Sequence, residues 1–257
     1  MAVIEAKDKN KIVLVLDTTI RGAFAAVAEF QESDRHVNIL SYCQRSVNRA
    51  AAAGVSDLVS EVMRGSQLAW QDFDRFVVGH GPGSFTGIKI GLAFAYGVRL
   101  AHPEVPLRGY SALAALAEIR PGNLWFLPAT RSQGYVAFAH PGERAQQWIV
   151  DLGSDLTAPK LQLFTSDSRA AFDWQQLPKP SIETVLPWPL LDQALGAHGI
   201  AATSHWQLNS LCGDIAVSMV QSTMFQLDAN DGLLPEPQYL RKSAPEEAYD
   251  TRKGAAN

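Results

Sequence analysis

One stretch restricts this chain more than any other: the apolar triplet Phe76-Val77-Val78 runs directly into GHGPGSFTGIKIGLAFAYGVRLA, residues 79–101. A short β-branched run, a glycine-rich turn and a long apolar helix make a strand–loop–helix unit. Such units belong in α/β proteins. Gly79, Gly81, Gly83 and Gly87 crowd the turn, and glycine lets a second backbone or a ligand come close. Ser84 stands where an N-cap is expected, and Pro103 closes the helix.

A helix N-terminus favours anions, so a phosphate loop is one reading of this turn. The residues depart from both common versions. Lys89 comes two positions after Gly87 with Ile90 behind it, where a Walker loop requires Gly-Lys-Ser/Thr. A dinucleotide fingerprint counted from Gly79 or Gly81 meets Ser84 or Thr86 in place of its last glycine. The other reading is a tight turn whose glycines serve close packing, and the residues alone leave both open.

The helix is apolar nearly all round. Lys89 and Arg99 are its only charges, and Gly87, Gly91 and Ala95 recur every four residues as a ridge of small side chains. A helix of this kind is covered on more than one side. One side is expected on a sheet, and the small ridge is expected to face a second helix, domain or protein. The preceding helix, Ala50–Arg64, sets Val55, Leu58, Val59 and Val62 on one face, with Gly54 inside it and Gly65 as its stop. The candidate partner interface is therefore Val55, Leu58, Val59, Val62, Ile88, Gly91, Leu92, Ala95 and Arg99.

Around this unit, 12–16, 22–30 and 37–42 read as strands, as does 107–110, and Ser111 caps a helix to Ile119. The order predicts a mixed sheet with helices packed on it. The second half is less regular. Strands are expected at 124–128, 135–139 and 148–150, a helix at 208–224, a turn at 231–237 and a short last segment at 238–241. Residues 153–190 are rich in proline, serine and aspartate, and Leu186-Pro187-Trp188-Pro189 excludes an interior helix there. No sequence repeat is visible. The expected division is an N-terminal lobe, 1–110, and a smaller, more irregular C-terminal lobe, 111–257.

Composition narrows the function. With 47% hydrophobic and 19% charged residues the chain can bury a full core. A net charge of −4 gives no basic surplus for holding nucleic acid directly. Cys43 and Cys212 are too far apart for a zinc or redox motif and read as reduced thiols. The first eleven residues hold no apolar stretch of signal-peptide length, and no run reaches membrane-span length, so a soluble, cytoplasmic protein is expected. The six histidines are scattered, and H-x-x-x-H, H-E-x-x-H, C-x-x-C and G-x-S-x-G are all missing. No catalytic residue, metal ligand or cofactor is assigned.

The loop and helix, together with VLVLDTT and GAFAAV near the start, GYSALAALAE after the long helix and PQYLR near the end, resemble the TsaB family of bacterial proteins. The resemblance runs from about residue 12 to 120 and is patchy beyond. It implies the actin-like, Hsp70-like and sugar-kinase-like (ASKHA) fold with two related lobes. It also implies a non-catalytic role in making threonylcarbamoyladenosine beside the tRNA anticodon. The implied partners are a TsaD-like enzyme, bound as a heterodimer through N-lobe helices, and through it a TsaE-like ATPase; tRNA is met only indirectly. Departures point the same way. Ala112 and Leu116 stand where TsaD-like enzymes carry a metal-binding H-x-x-x-H. Thr19 replaces the glycine of an Asp-x-Gly phosphate motif, Ala129 replaces the aspartate of Asp-Ala-Arg, and Gly54 replaces a family histidine.

Two other readings stand beside this one. An actin-like kinase or metallopeptidase would hold a nucleotide or a metal. A stand-alone homodimer would pair the same apolar helix with itself.

Overall fold

The computed structural model describes residues 10–20, 22–45, 51–153, 162–164, 181–185, 188–197, 204–205, 208–224 and 234–238. The expected segment at 238–241 lies outside these except for Gln238.

Strands β1 (Lys11–Asp17), β2 (Ala23–Gln31), β3 (His36–Arg45), β4 (Arg75–Gly79) and β5 (Leu107–Tyr110) form one sheet in the order β3-β2-β1-β4-β5. The pairs β1–β2 and β2–β3 are antiparallel, and β4 and β5 add in parallel on the other side of β1. A second sheet repeats this plan. Its strands are β6 (Asn123–Pro128), β7 (Gln133–Phe138), β8 (Gln146–Asp151), β9 (Gln162–Phe164), β10 (Ser181–Thr184) and β11 (Ser204–His205), in the order β11-β10-β6-β7-β8-β9. Here β6, β7, β8 and β9 pair antiparallel, while β10 and β11 add in parallel beside β6. Apart from the extra edge strand β9, the two sheets share one topology. These are the mixed sheets of an actin-like fold, flanked by helices.

The helices are α1 (Ala51–Ser66), α2 (Phe85–Ala101), α3 (Ala112–Ile119), α4 (Pro189–Ala197) and α5 (Leu208–Met224). Ser84 caps α2 by accepting from the Gly87 N–H, and Ser111 caps α3 by accepting from the Ala114 N–H. The first helix does not stop at Gly65. It runs on to Ser66, and Gln67 takes the left-handed turn at φ 58°. Pro189 opens α4, a helix the sequence left unassigned; proline at a first helical position leaves no intrahelical bond unmade.

Alternation along the strands sorts side chains into three cores. Leu14, Leu16, Val27 and Val78 turn outward beneath α1 and α2. Val13, Val15, Ala26 and Val77 turn inward, toward α3 and α5. On the far side of these two helices lie Trp125, Leu127, Tyr135 and Ala137 of the second sheet, and Phe126, Val136 and Ile182 turn outward beneath α4. The molecule is thus five layers deep: α1/α2, sheet, α3/α5, sheet, α4. A boundary at 110/111 separates the strands of the two sheets, but the helices cross it. α3 lies on β6 and β7, whereas α5 returns to pack on the first sheet.

This arrangement corrects the expected interface. Val55, Leu58, Val59, Val62, Ile88, Leu92 and Ala95 are all buried in their own chain, between α1, α2 and the first sheet. The small ridge faces inward as well. A Cβ added at Gly91 would lie 2.5 Å from Thr18 Oγ1, and one at Gly87 would overlap the Thr18 carbonyl. Glycine is there so that α2 can lie against the turn after β1. Arg99, in the last turn, is partly buried with Nη1 enclosed and unpaired. The face of α2 that meets solvent is Thr86, Lys89, Ala93, Gly97 and Leu100. Space is open around Gly97, and Leu100 is 85% exposed.

Gly91→Trp is therefore expected to abolish cooperative folding, while Gly97→Trp keeps a cooperative melt near that of the parent; circular dichroism on heating compares them. Leu58→Ala empties a fully buried position and should cost about 2–5 kcal/mol in urea unfolding.

Candidate functional site

Three parallel strands, β1, β4 and β5, end side by side at Asp17, Gly79 and Tyr110. The sheet order turns at β1, with β2 and β3 on one side and β4 and β5 on the other. In open α/β sheets the crevice outside such a turning point is where ligands bind. The glycine loop, the Asp17-Thr18-Thr19 turn and residues 234–238 all meet here, and the crevice is filled from three directions by the chain itself.

Asp17 seals the floor. Its carboxylate is fully buried and accepts from the Thr19 N–H at 3.0 Å, the Thr19 hydroxyl at 2.9 Å and the Ile20 N–H at 3.3 Å. Burial raises its pKa to about 6 despite those three donors. The second carboxylate oxygen lies where a Cβ at Gly79 would stand, so only glycine fits at the end of β4.

The glycine loop is bound to this turn. The Ser84 N–H donates to the Thr19 carbonyl at 2.7 Å, and the Thr18 hydroxyl donates to the Gly87 carbonyl at 2.6 Å. A Cβ at Gly83 would overlap the Thr19 carbonyl. The Gly87 N–H is taken by Ser84 Oγ at 3.2 Å, and the His80 N–H by the Tyr110 carbonyl at 3.2 Å. These three loop N–H donors are thus spent on the protein's own oxygens, and at Gly83 and Gly87 the missing Cβ admits backbone of the turn after β1. Of the two readings left open by the loop residues, close packing is the one these contacts support.

Residues 234–238 cross the open side, which the sequence read only as the end of a turn. The Gln238 N–H donates to the His80 carbonyl at 2.8 Å, and His80 Nδ1 lies 3.0 Å from the Glu236 carbonyl. Because a carbonyl only accepts, Nδ1 carries the proton. The Tyr96 hydroxyl donates to the Pro235 carbonyl. His80 is held below the usual histidine range by burial. Gly81, at φ +107°, would meet the Gln238 carbonyl 2.7 Å away if it carried a Cβ, and Gly109 would meet Pro235 at 2.5 Å. Asp17, Tyr96, Gly109, Pro235 and Gln238 were not among the residues expected here. The PQYLR motif was the one visible sign that this end of the chain mattered.

The counterpart turn in the second sheet, between β6 and β7, holds no carboxylate. Ala129 and Thr130 both donate their N–H groups to the Gln133 carbonyl, at 3.0 and 2.8 Å, closing a tight hairpin. Ala112 and Leu116 are buried in the central core. Among the described residues no three His, Cys, Asp or Glu side chains gather closely enough to hold a metal ion. No helix among them is long and apolar enough to cross a membrane. Cys43 and Cys212 are in no disulfide, and burial pushes Cys212 up to about 11.

A polar cluster joins the layers just behind the crevice. Glu118 of α3 accepts from the Tyr110 hydroxyl at 2.5 Å, the Ser222 hydroxyl at 2.7 Å and the Ala145 N–H at 3.0 Å. Arg144 donates to the Tyr110 hydroxyl at 2.8 Å and the Ser222 carbonyl at 3.0 Å. Burial and the Glu118 carboxylate both raise the Tyr110 phenol above its usual range. The cluster links β5, α3, α5 and the loop after β7.

Residues 45–127, from the end of β3 to β6, match the family model of TsaD, tRNA N6-adenosine threonylcarbamoyltransferase. The chain is 27% identical over 111 residues to the tRNA threonylcarbamoyladenosine biosynthesis protein TsaB of Haemophilus influenzae, covering 42% of this chain and 44% of that one. It is 27% identical over 106 residues to the TsaB protein of Escherichia coli, covering 41% and 42%. The matched region therefore spans under half the length of these curated relatives. Among solved structures, YeaZ from Pseudomonas aeruginosa shares the fold at a TM-score of 0.55 and 16% identity, over 89% of this chain and 99% of that one. The matched residues include the glycine loop, α2 and α3, and over this region the chain is similar to the TsaB proteins, whose fold it shares.

Proposed function

We propose that this chain is a cytoplasmic, non-catalytic subunit in the biosynthesis of threonylcarbamoyladenosine on tRNA. In this reading it docks on a TsaD-like enzyme, and through that enzyme it meets a TsaE-like ATPase. One observation carries the non-catalytic part. The crevice at the carboxyl ends of β1, β4 and β5 is occupied by Asp17, Thr18, Thr19 and residues 234–238 of the chain itself. A carboxylate that serves a metal–phosphate ligand is ionised and faces it. Asp17 instead faces its own backbone N–H groups.

The docking part is supported by the outer face of α2. Thr86, Lys89, Ala93, Gly97 and Leu100 fall at i, i+3, i+7, i+11 and i+14, a single stripe along the helix. Phe85, 38% exposed, flanks its start, with Lys89 Nζ 4.0 Å above the ring. Small residues in the middle and apolar ones at the ends suit a second helix laid closely against this one. The interface residues proposed in place of the buried set are Phe85, Lys89, Ala93, Gly97 and Leu100.

Mixing the purified chain with a TsaD-like protein from the same cell should give a stable complex in size-exclusion chromatography at micromolar concentration. Gly97→Trp and Leu100→Asp should each weaken it by at least about tenfold, roughly 1.4 kcal/mol, without loss of the melt. Undiminished binding by both variants would move the interface off α2, and failure of the parent chain to bind would remove the docking reading.

Asp17 gives a second check. Its folded pKa of about 6 lies above the ordinary value of 3.8, so the protonated form favours the fold. That stabilisation is complete below pH 3.8 and is lost as pH rises through 6, about 3 kcal/mol in all. Asp17→Asn keeps an acceptor for the Thr19 N–H and cannot ionise. Urea midpoints at pH 4, 5 and 7 should show the parent losing stability relative to Asp17→Asn as pH rises. Parallel curves would mean that Asp17 is not the sealed, protonatable acid described.

A further inference from the structure

We infer that the groove walled by His80, Gly81, Tyr96 and Gly109 is a peptide-binding groove, and that residues 234–238 are its tethered occupant, closing the crevice in cis. Recognition runs almost wholly through the occupant's main chain. Its Pro235 and Glu236 carbonyls accept from Tyr96 and His80, and its Gln238 N–H donates to the His80 carbonyl. Main-chain pairing of an extended segment with side-chain selection at one position is how proteins take peptides at the edge of a fold. The selecting position is Pro235, whose ring sits against Gly109.

The two groove glycines separate this arrangement from ordinary packing of a chain end. At Gly79, Gly83 and Gly87 an added Cβ would strike Asp17, Thr18 or Thr19, which belong to the scaffold. At Gly109 the atoms in the way are Pro235 Cβ at 2.5 Å and then His80 at 3.2 Å. At Gly81 they are the Gln238 carbonyl at 2.7 Å and the flexible Ile88 Cδ1 at 2.8 Å. Gly109, and in part Gly81, thus leave room for the segment itself. The groove walls belong to β5, α2 and the loop between β4 and α2, and the first-sheet cores on both faces hold β4, β5 and α2 without any residue of 234–238. The groove is therefore built on a scaffold that stands independently of what fills it.

Such a segment competes with the same segment added in solution. A tether sets an effective concentration in the millimolar range, so the intact chain masks the groove and a chain lacking the segment exposes it. The probe is a fluorescent peptide of residues 234–241, LPEPQYLR, added to the full chain and to a chain ending at residue 233. Fluorescence polarisation should show saturable binding to the shortened chain and at least about tenfold weaker binding to the full one. A shortened chain that keeps its circular dichroism spectrum and binds no peptide overturns the inference, as does equal binding to both. Should the shortened chain fail to fold, Gly109→Val in the full chain reports instead. The added carbons displace Pro235, so hydrogen exchange at the Gln238 amide should quicken at least tenfold while the β4 amides keep their protection. Unchanged exchange at Gln238 would overturn the proposal.

Discussion

The central layer is the constraint on which the rest of this structure depends. Two helices, α3 and α5, lie between two sheets of the same topology, and each crosses to the sheet it does not follow in sequence. Every residue from Ala112 to Ala117 is buried, which α3 achieves only because it has a sheet on one side and α5 beside it. Burial of apolar area is non-directional; the pairing is made specific by the Glu118 cluster, in which one carboxylate takes hydrogen bonds from β5, α5 and the loop after β7. A carboxylate so enclosed is costly unless each partner is in place, so the cluster fixes how the layers register as well as holding them together.

With the layers fixed, the ends of β1, β4 and β5 are fixed too, and what happens at those ends decides the chemistry. Glycine at a strand-to-helix turn permits close approach without specifying by what. Here the approach is made by Thr18 and Thr19 from below and by Pro235 to Gln238 from the side. The same principle acts in opposite directions on two faces of α2. Gly87, Gly91 and Ala95 let the helix settle onto its own sheet, and Ala93 and Gly97 leave the outer face low enough for another helix. A small-residue ridge by itself therefore does not say which way it faces.

That ambiguity explains how far the sequence could be read. Strong periodic signals located α1, α2, α3 and α5, and the serines at 84 and 111 marked their caps because a hydroxyl before a helix has a definite job. The phase of α2 was not legible. A helix with apolar residues on nearly every side has no polar stripe to mark the solvent face, so its sequence does not separate the buried set from the exposed one. The α1 residues Val55, Leu58, Val59 and Val62 were placed correctly on one face, but which neighbour covers that face is a tertiary fact. The repeat of topology between the sheets left no trace in the residues either, because strand order is set by register and crossover, and many apolar sequences satisfy it. Residues 181–197 hid β10 and α4 among prolines, one of which, Pro189, begins a helix rather than forbidding one.

The positions where this chain departs from enzyme-type sequences then take on a common physical meaning. Ala112 and Leu116, in place of two histidines, lie in the central core between the sheets. Thr19, in place of a glycine, contributes the hydroxyl and N–H that donate to Asp17 and the carbonyl that holds Ser84. Ala129, in place of an aspartate, leaves its hairpin free to close on itself. In each case a group that would face a ligand has become a group that faces the protein. A catalytic crevice must keep polar groups unsatisfied until substrate arrives, at a cost in stability of about 1–3 kcal/mol for each one buried. A crevice filled by Thr18, Thr19 and residues 234–238 of its own chain does not carry that cost.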